Sequence, residues 1–155
     1  MKTTADLHRR SFLRHLRRAG SRVENSFPGG EHEHPAPRGS SYPLLTYREV
    51  AAPYVDDWTK RTIRSWWDIE VWSEDQVEAG TLDVLVNFEL EDKVDGIEVP
   101  ADPTEDPEDP ETVMTTQTIL YCRRIADLRD KEVTDEGKTV YRVGGTYSIW
   151  GDQPL

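Results

Sequence analysis

The sequence predicts a mainly β fold: a small β-barrel or sandwich that follows a basic helical arm and contains a long acidic loop. Three observations support this class. Apolar and polar residues alternate in several short segments between residues 42 and 150, as they do in half-buried strands. Turn signals rich in Gly, Pro and Asp separate these segments. Helical spacing of any length occurs only before residue 23.

The charge of the chain is divided between the two ends of its sequence. Residues 1–22 have a net charge of +6, whereas residues 23–155 hold 12 basic and 29 acidic residues. Such asymmetry indicates a basic arm on an acidic body, which repels nucleic acid at long range. Only 5 of the 19 basic residues are lysines, and this composition is typical of proteins from salt-loving organisms.

The arm, residues 1–22, is predicted to be a short amphipathic helix that ends near Gly20. Three interpretations remain open: a helix packed on its own domain, an arm that docks on an acidic neighbouring subunit, or a contact with nucleic-acid phosphates. For the docking interpretation, the candidate interface residues are Arg9, Arg10, Phe12, Leu13, Arg14, Leu16, Arg17 and Arg18.

The segment "RRSFL" within this arm matches the start of a twin-arginine export signal. A secretory leader needs about 7–15 apolar residues after its charges, but arginines continue to Arg22. We therefore expect the arm to remain in the mature protein. No run approaches the ~20 apolar residues that span a bilayer, so no membrane partner is expected.

Residues 23–41 are predicted to be a Pro- and Gly-rich linker before a β domain at 42–155. The linker contains "EHEH", but histidines two residues apart on such a loop are not preorganised for a metal. Cys122 is the only cysteine, which excludes an intrachain disulfide and a zinc cluster. We predict neither a metal nor a cofactor.

Strands are predicted over Tyr42–Ala51 and Thr62–Trp72. In the second, Trp67, Ile69 and Val71 share an apolar face, whereas Trp66 and Trp72 fall on the polar face. Tryptophans on a polar face indicate either cover by another part of the chain or a subunit contact, because Trp is enriched at interfaces.

Beyond residue 72 the sequence predicts a helical turn over residues 73–80, with Ser73 as its cap, and a strand over Thr81–Leu90. Residues 91–112, dense in acidic residues and with four prolines, are predicted to be a solvated, mobile loop. A strand over Val113–Cys122 and a connector of uncertain type follow.

The chain closes with predicted strands Lys138–Val143 and Thr146–Trp150, bent at Gly144 and Gly145. All four histidines precede residue 35, so a nucleophile–histidine pair would need one from the arm or linker. The sequence also lacks a phosphate-binding glycine loop and a dinucleotide fingerprint. We therefore do not expect an enzyme.

Residues 127–155 resemble the final hairpin of head-closure proteins of tailed viruses, also called stoppers or head–tail connectors. That hairpin has a polar turn with Gly, a "Y-x-V" strand, a Gly break, then Trp and Pro. The matching positions are Gly137, Tyr141, Val143, Gly144, Trp150 and Pro154, and in the barrel they form the closing hairpin.

The resemblance implies a structural protein of the virion neck, assembled in the host cytoplasm. Such a protein forms a homo-oligomeric ring that joins the portal and adaptor to the tail and contacts packaged DNA only indirectly. A loop that faces the channel helps to retain the DNA. The candidates in this loop are Asp102, Glu105, Asp106, Glu108 and Asp109.

Two other functions remain open. A tail-terminator, or tail-completion, protein also forms a ring at this junction but typically places helices across a sheet. A small cytoplasmic binding module would use the arm on nucleic acid, with a steep dependence on salt.

Overall fold

The computed structural model describes residues 4–51, 62–91, 97–102, 104–106, 108–117 and 119–152. In chain order its elements are α1 (Thr4–Arg17), β1 (Glu31–Glu33), β2 (Leu44–Ala51), β3 (Thr62–Ser73), α2 (Gln76–Leu90), β4 (Ile97–Pro100), β5 (Met114–Gln117), β6 (Ile119–Val133) and β7 (Thr139–Asp152).

The main sheet has five strands in the order β1-β2-β3-β7-β6, and β4 and β5 form a separate hairpin. The β1–β2 pair is parallel and the other pairs are antiparallel. Among the described residues β1 and β6 are the two edges and do not pair with each other. The mainly β class is confirmed, but the main sheet is open, so the barrel, one of the two predicted architectures, is not formed.

Both helices contribute to the core that packs against one face of this sheet. The predicted apolar face of β3 is confirmed, since Trp67, Ile69 and Val71 are all buried. Residues of α1, α2, β2, β6 and β7 complete the same cluster. They include Phe12, Leu13, Leu16, Leu45, Val86, Leu90, Cys122, Tyr147 and Ile149.

The predicted strand over Thr81–Leu90 is wrong, because these residues belong to helix α2. The helix begins after Asp75, not Ser73; the Asp75 carboxylate accepts hydrogen bonds from the backbone N–H groups of Val77 and Glu78. It then continues through Gly80 to Leu90. The helix is apolar on its outer as well as its inner side, and a helix of that kind lacks the one-sided period from which helices are predicted.

The last third of the chain also differs from the prediction. The connector after Cys122 is part of the long strand β6, and the predicted strand Val113–Cys122 is divided between β5 and the start of β6. Strand β7 runs without interruption through Gly144 and Gly145. The glycines therefore do not bend the strand at a barrel corner; they allow the neighbouring strands to approach closely.

The close approach at Gly144 gives a stability prediction. A Cβ there would lie 2.6 Å from the Glu70 Cα and would also overlap the Ile69 carbonyl oxygen. We expect Gly144→Ala to lower the free energy of unfolding by about 2–3 kcal/mol, because backbone atoms cannot move aside cheaply. Urea unfolding measures the change.

Gly80 of α2 provides the matched control. A Cβ at Gly80 meets no heavy atom within 4 Å, and alanine is favoured in a helix interior by about 0.5–1 kcal/mol. Gly80→Ala is therefore expected to stabilise the protein. Equal effects of the two substitutions would contradict the packing described at Gly144.

Candidate interaction surfaces

The arm helix α1 packs on the sheet of its own chain. Phe12, fully buried, meets Trp67 edge-on with ring centroids 5.3 Å apart and Tyr47 with centroids 6.0 Å apart. Leu13 and Leu16 are buried beside it. Of the three interpretations of the arm, this placement agrees with a helix packed on its own domain, and it leaves the arginines as the accessible part of α1.

The C-terminal end of α1 is held to α2 through Glu89. The buried Glu89 carboxylate accepts hydrogen bonds from Arg18 Nη2 at 2.6 Å and from the Arg22 backbone N–H at 3.0 Å. His15 Nε2 donates to the Glu89 carbonyl oxygen at 2.8 Å. Burial by itself would raise the pKa of Glu89, but the Arg22 N–H and the Arg18 guanidinium together hold it below its usual value.

A buried His–Ser pair links α1 to β3. His8 Nδ1 lies 2.7 Å from Ser65 Oγ, which also accepts a hydrogen bond from Trp67 Nε1 at 2.8 Å. Burial lowers the pKa of His8 to about 4. Both His8 and Ser65 are fully buried, so the pair stabilises the docked arm and is not accessible to a substrate. No local sequence pattern indicates this pair, because its members are 57 residues apart.

The accessible arginines of α1 line a cleft of about 300 Å³ that also contains acidic side chains. Arg10, Arg14 and Arg17 recur at helical spacing along one side of α1, where Arg17 is exposed and the other two are half-buried. Asp106 and Glu108, from the segment between β4 and β5, lie in the same cleft. The remaining lining residues are Arg9, Leu13 and Tyr47. The structure therefore brings together two sets of predicted site residues that are distant in sequence.

Two further contacts describe this arginine cleft. Arg17 pairs with Glu31 of β1 at 3.1 Å, and Arg14 Nη1 lies 4.0 Å from the Met114 sulfur of β5. Arg10 Nη1 is buried without a hydrogen-bond partner among the described residues. The cleft thus has positive charge at its base, and it is chemically suited to carboxylates or phosphates.

The acidic segment between β4 and β5 consists of successive turns. The side chain of Asp102 accepts hydrogen bonds from the Thr104 N–H and hydroxyl, at 2.9 and 2.7 Å. Asp106 and Asp109 accept from the backbone N–H groups of Glu108 and Glu111 in the same way. Glu105 is exposed like these residues. The predicted loop over residues 91–112 is therefore wrong in part, because Ile97–Pro100 form strand β4 paired with β5. Its described residues between 101 and 111 are exposed.

The two tryptophans of the polar face of β3 have different surroundings. Trp72 is covered by its own chain: His34 of the linker stacks on it with centroids 5.9 Å apart, and the Arg142 guanidinium lies 5.2 Å from its ring. Its Nε1 donates to Thr46 Oγ1 at 2.8 Å. Trp66 is half-buried opposite Ser148 of β7. Cover by the same chain, one of the two predicted alternatives, therefore holds for Trp72.

The C-terminal hairpin is formed by β6, a turn and β7. Gly137 lies in that turn with a φ of 80°, a left-handed conformation that favours glycine. Tyr141 and Val143 both project to the helix side of β7, opposite Ser73 and Val71 of β3. Trp150 is half-buried near the end of the strand, and Pro154 lies outside the described residues.

Within the described ranges, no three His, Cys, Asp or Glu side chains come together as a metal site. Neither of the two helices among the described residues is long and apolar enough to cross a membrane. Cys122, the one cysteine of the sequence, is buried in the core as a thiol.

Comparison with known proteins identifies a fold. No family model matches the chain, and no curated protein matches it. The chain is similar to a chain in the solved structure of the virion of a native gene transfer agent (GTA) particle, with a TM-score of 0.55 and 9% sequence identity. The similarity covers 93% of each chain. At this identity it shows that the two chains share a fold.

The packing of Phe12 predicts that the arm is needed for the stability of the body. We expect Phe12→Ala to lower the free energy of unfolding by about 3–5 kcal/mol, since it leaves a cavity between α1 and β3. Phe88→Ala is the matched control: Phe88 is 39% exposed, and we expect a cost of about 1 kcal/mol. Equal costs in urea unfolding would contradict the docked position of α1. Deletion of residues 1–22 should likewise destabilise the body.

Burial of His8 predicts a loss of stability in mild acid. The unfolded chain protonates this imidazole near pH 6.5, whereas the folded chain resists protonation down to about pH 4. Stability is therefore complete above pH 6.5 and decreases as the pH falls toward 4, by about 2 kcal/mol at pH 5. His8→Asn can keep a hydrogen bond to Ser65 without titrating there. Urea unfolding between pH 7.5 and 5 should show a smaller decrease for this variant, and identical slopes would refute the assignment.

Proposed function

We propose that this chain is a structural subunit of a tailed virus or a virus-like particle, and that it forms a ring at the head–tail junction. The similarity to a chain of the GTA virion supports a virion role, because it extends over 93% of both chains. The homo-oligomeric ring and its neighbours, the portal, adaptor and tail proteins, belong to this proposal.

Between the two candidate ring proteins, we favour the tail-completion protein over the head-closure protein. The observation that carries this choice is the architecture: α1 and α2 lie across one face of an open sheet. Helices across a sheet are typical of tail-completion proteins, whereas the hairpin resemblance that implies head closure was expected to close a barrel, and the sheet is open. The C-terminal hairpin around Gly137 and Tyr141 is the feature that still supports head closure.

The charge distribution suggests how such a ring treats DNA. The exposed carboxylates Asp102, Glu105 and Asp109, with Asp106 and Glu108 beside the arginine cleft, would repel phosphates if they face the channel. The arginines Arg9, Arg10, Arg14 and Arg17 line the same cleft as Asp106 and Glu108 of their own chain. A role as a nucleic-acid-binding module is therefore less favoured, because phosphates would have to displace carboxylates from the cleft.

Removal of the gene from the particle's own host tests the proposal. A ring that ends the tail limits its growth, so particles without this chain should have tails of irregular length, visible by electron microscopy. A plasmid copy of the gene should restore a uniform length.

Two other results would change the conclusion. Tails of uniform length beside heads that have lost their DNA would identify a head-closure protein. Particles with normal heads, tails and DNA would exclude a structural role at the junction.

A further inference from the structure

The outer side of α2 has an apolar stripe that no described residue of the core covers. Its members are Val77, Val84 and Phe88, which are 76%, 65% and 39% exposed. They lie on one line along the helix, with Thr81 between them, because their spacing follows the helical repeat. The buried residues Ala79, Val86 and Leu90 are on the opposite side. A surface helix is normally polar on its outer side, so this stripe indicates a contact surface.

The two ends of this α2 stripe have opposite charge. Glu78, next to Val77, is exposed at the N-terminal end, and its carboxylate accepts a hydrogen bond from the Ser73 hydroxyl. At the C-terminal end the Arg22 guanidinium lies over the Phe88 ring, 3.7 Å from its centroid. Glu78 and Glu89 occupy the same flank of α2, and the Arg22 backbone binds Glu89. The negative and positive ends are thus on the same flank.

We propose that a second copy of this chain covers the stripe, with the two α2 helices antiparallel about a two-fold axis. In this arrangement Val77 packs on Phe88 of the other copy, and Thr81 lies opposite Val84. The two-fold axis is perpendicular to the helices and lies in the plane of the contact, so the charged flanks of the two copies are on the same side. Glu78 of each copy then faces Arg22 of the other. The stripe is therefore complementary to itself in its apolar residues and in its charges, as an isologous contact requires.

This contact is separate from the proposed ring. An isologous contact closes with two copies, whereas a ring of more than two needs a head-to-tail contact. The two-fold dimer is thus a form of the free subunit, in which the apolar stripe is protected from water before assembly. Because only three apolar side chains form its centre, we expect a weak, reversible dimer whose population rises with protein concentration.

Sedimentation of the purified full chain across a wide concentration range tests the dimer. The expected mass rises from that of the 17.8 kDa chain to twice that mass. Val84→Glu should weaken the dimer by about tenfold or more, since it places a carboxylate in the apolar contact. Val133→Glu is the matched control at a valine that is 68% exposed on β6, and it should leave the dimer unchanged. Glutamate is compatible with a helix surface, so the test variant should fold.

Cysteine pairs test the register of the contact. A mixture of Thr81→Cys and Val84→Cys chains should form an interchain disulfide on mild oxidation. A mixture of Thr81→Cys and Val133→Cys chains should not. Charge exchange provides a further test: Arg22→Glu or Glu78→Arg alone should weaken the dimer, and the double variant should recover most of the affinity.

The results that would overturn the dimer differ from those that would overturn the proposed function. A chain that remains monomeric at every concentration overturns the α2 dimer. A dimer disrupted by Val133→Glu but not by Val84→Glu also overturns it and assigns the contact to the β6 edge. If only a partner protein of the particle covers the stripe, the pure chain is monomeric and Val84→Glu prevents incorporation into particles. Particles with normal heads, tails and DNA in the absence of this chain overturn the ring proposal alone and leave the dimer intact.

Discussion

The side chain of Arg124 connects the helix layer to the sheet, and much of the architecture depends on it. From β6 its Nη1 donates to both Asp83 carboxylate oxygens on α2, at 2.9 and 3.0 Å. Its Nη2 donates to the Gly144 carbonyl of β7, and its Nε lies 2.7 Å from Asp127. Burial raises the pKa of Asp83 while the guanidinium opposes that rise. Removing one partner of such a buried pair typically costs about 3–5 kcal/mol, because the other charge is left without compensation.

The glycine pair of β7 makes this arrangement possible. A Cβ at Gly145 would lie 2.8 Å from the Arg124 Cδ and the Ala126 carbonyl oxygen, so glycine provides the space in which the arginine crosses the strand. A Cβ at Gly144 would collide with the backbone of β3. Gly144 therefore leaves room for β3 on one side of β7, and Gly145 leaves room for β6 on the other side. Packing requires glycine at both positions. Strand β7 pairs with β3 without a register shift, whereas its pairing with β6 shifts between Arg124 and Ala126, beside Gly145.

The sequence predicts the elements that are buried on one side only, because their apolar residues recur with a regular period. Apolar and polar residues alternate in β3 because Trp67 and Ile69 are buried against the helices. The turn at Gly137 is predictable because glycine readily adopts the left-handed φ that it has there. Helix α2 is not predicted from the sequence, because Val84 and Phe88 give it a second apolar side and so remove the one-sided period. Strand β6 escaped because its charged residues are paired across the fold, as Arg124 is with Asp83. The His8–Ser65 pair and the arginine cleft depend on tertiary packing, which no local pattern records.

Charge and apolar contacts have separate tasks in this protein. The arm is anchored by the fully buried Phe12 and by Leu16, and these contacts persist at high ionic strength. The pair of the exposed Arg17 with the half-buried Glu31 and the charges of the arginine cleft are weakened by salt, since the Debye length is only about 3 Å at 1 M. In concentrated salt, assembly therefore cannot rest on attraction between arm and acidic body. The apolar stripe of Val77, Val84 and Phe88 is then the surface best suited to hold copies together, with charge selecting their orientation.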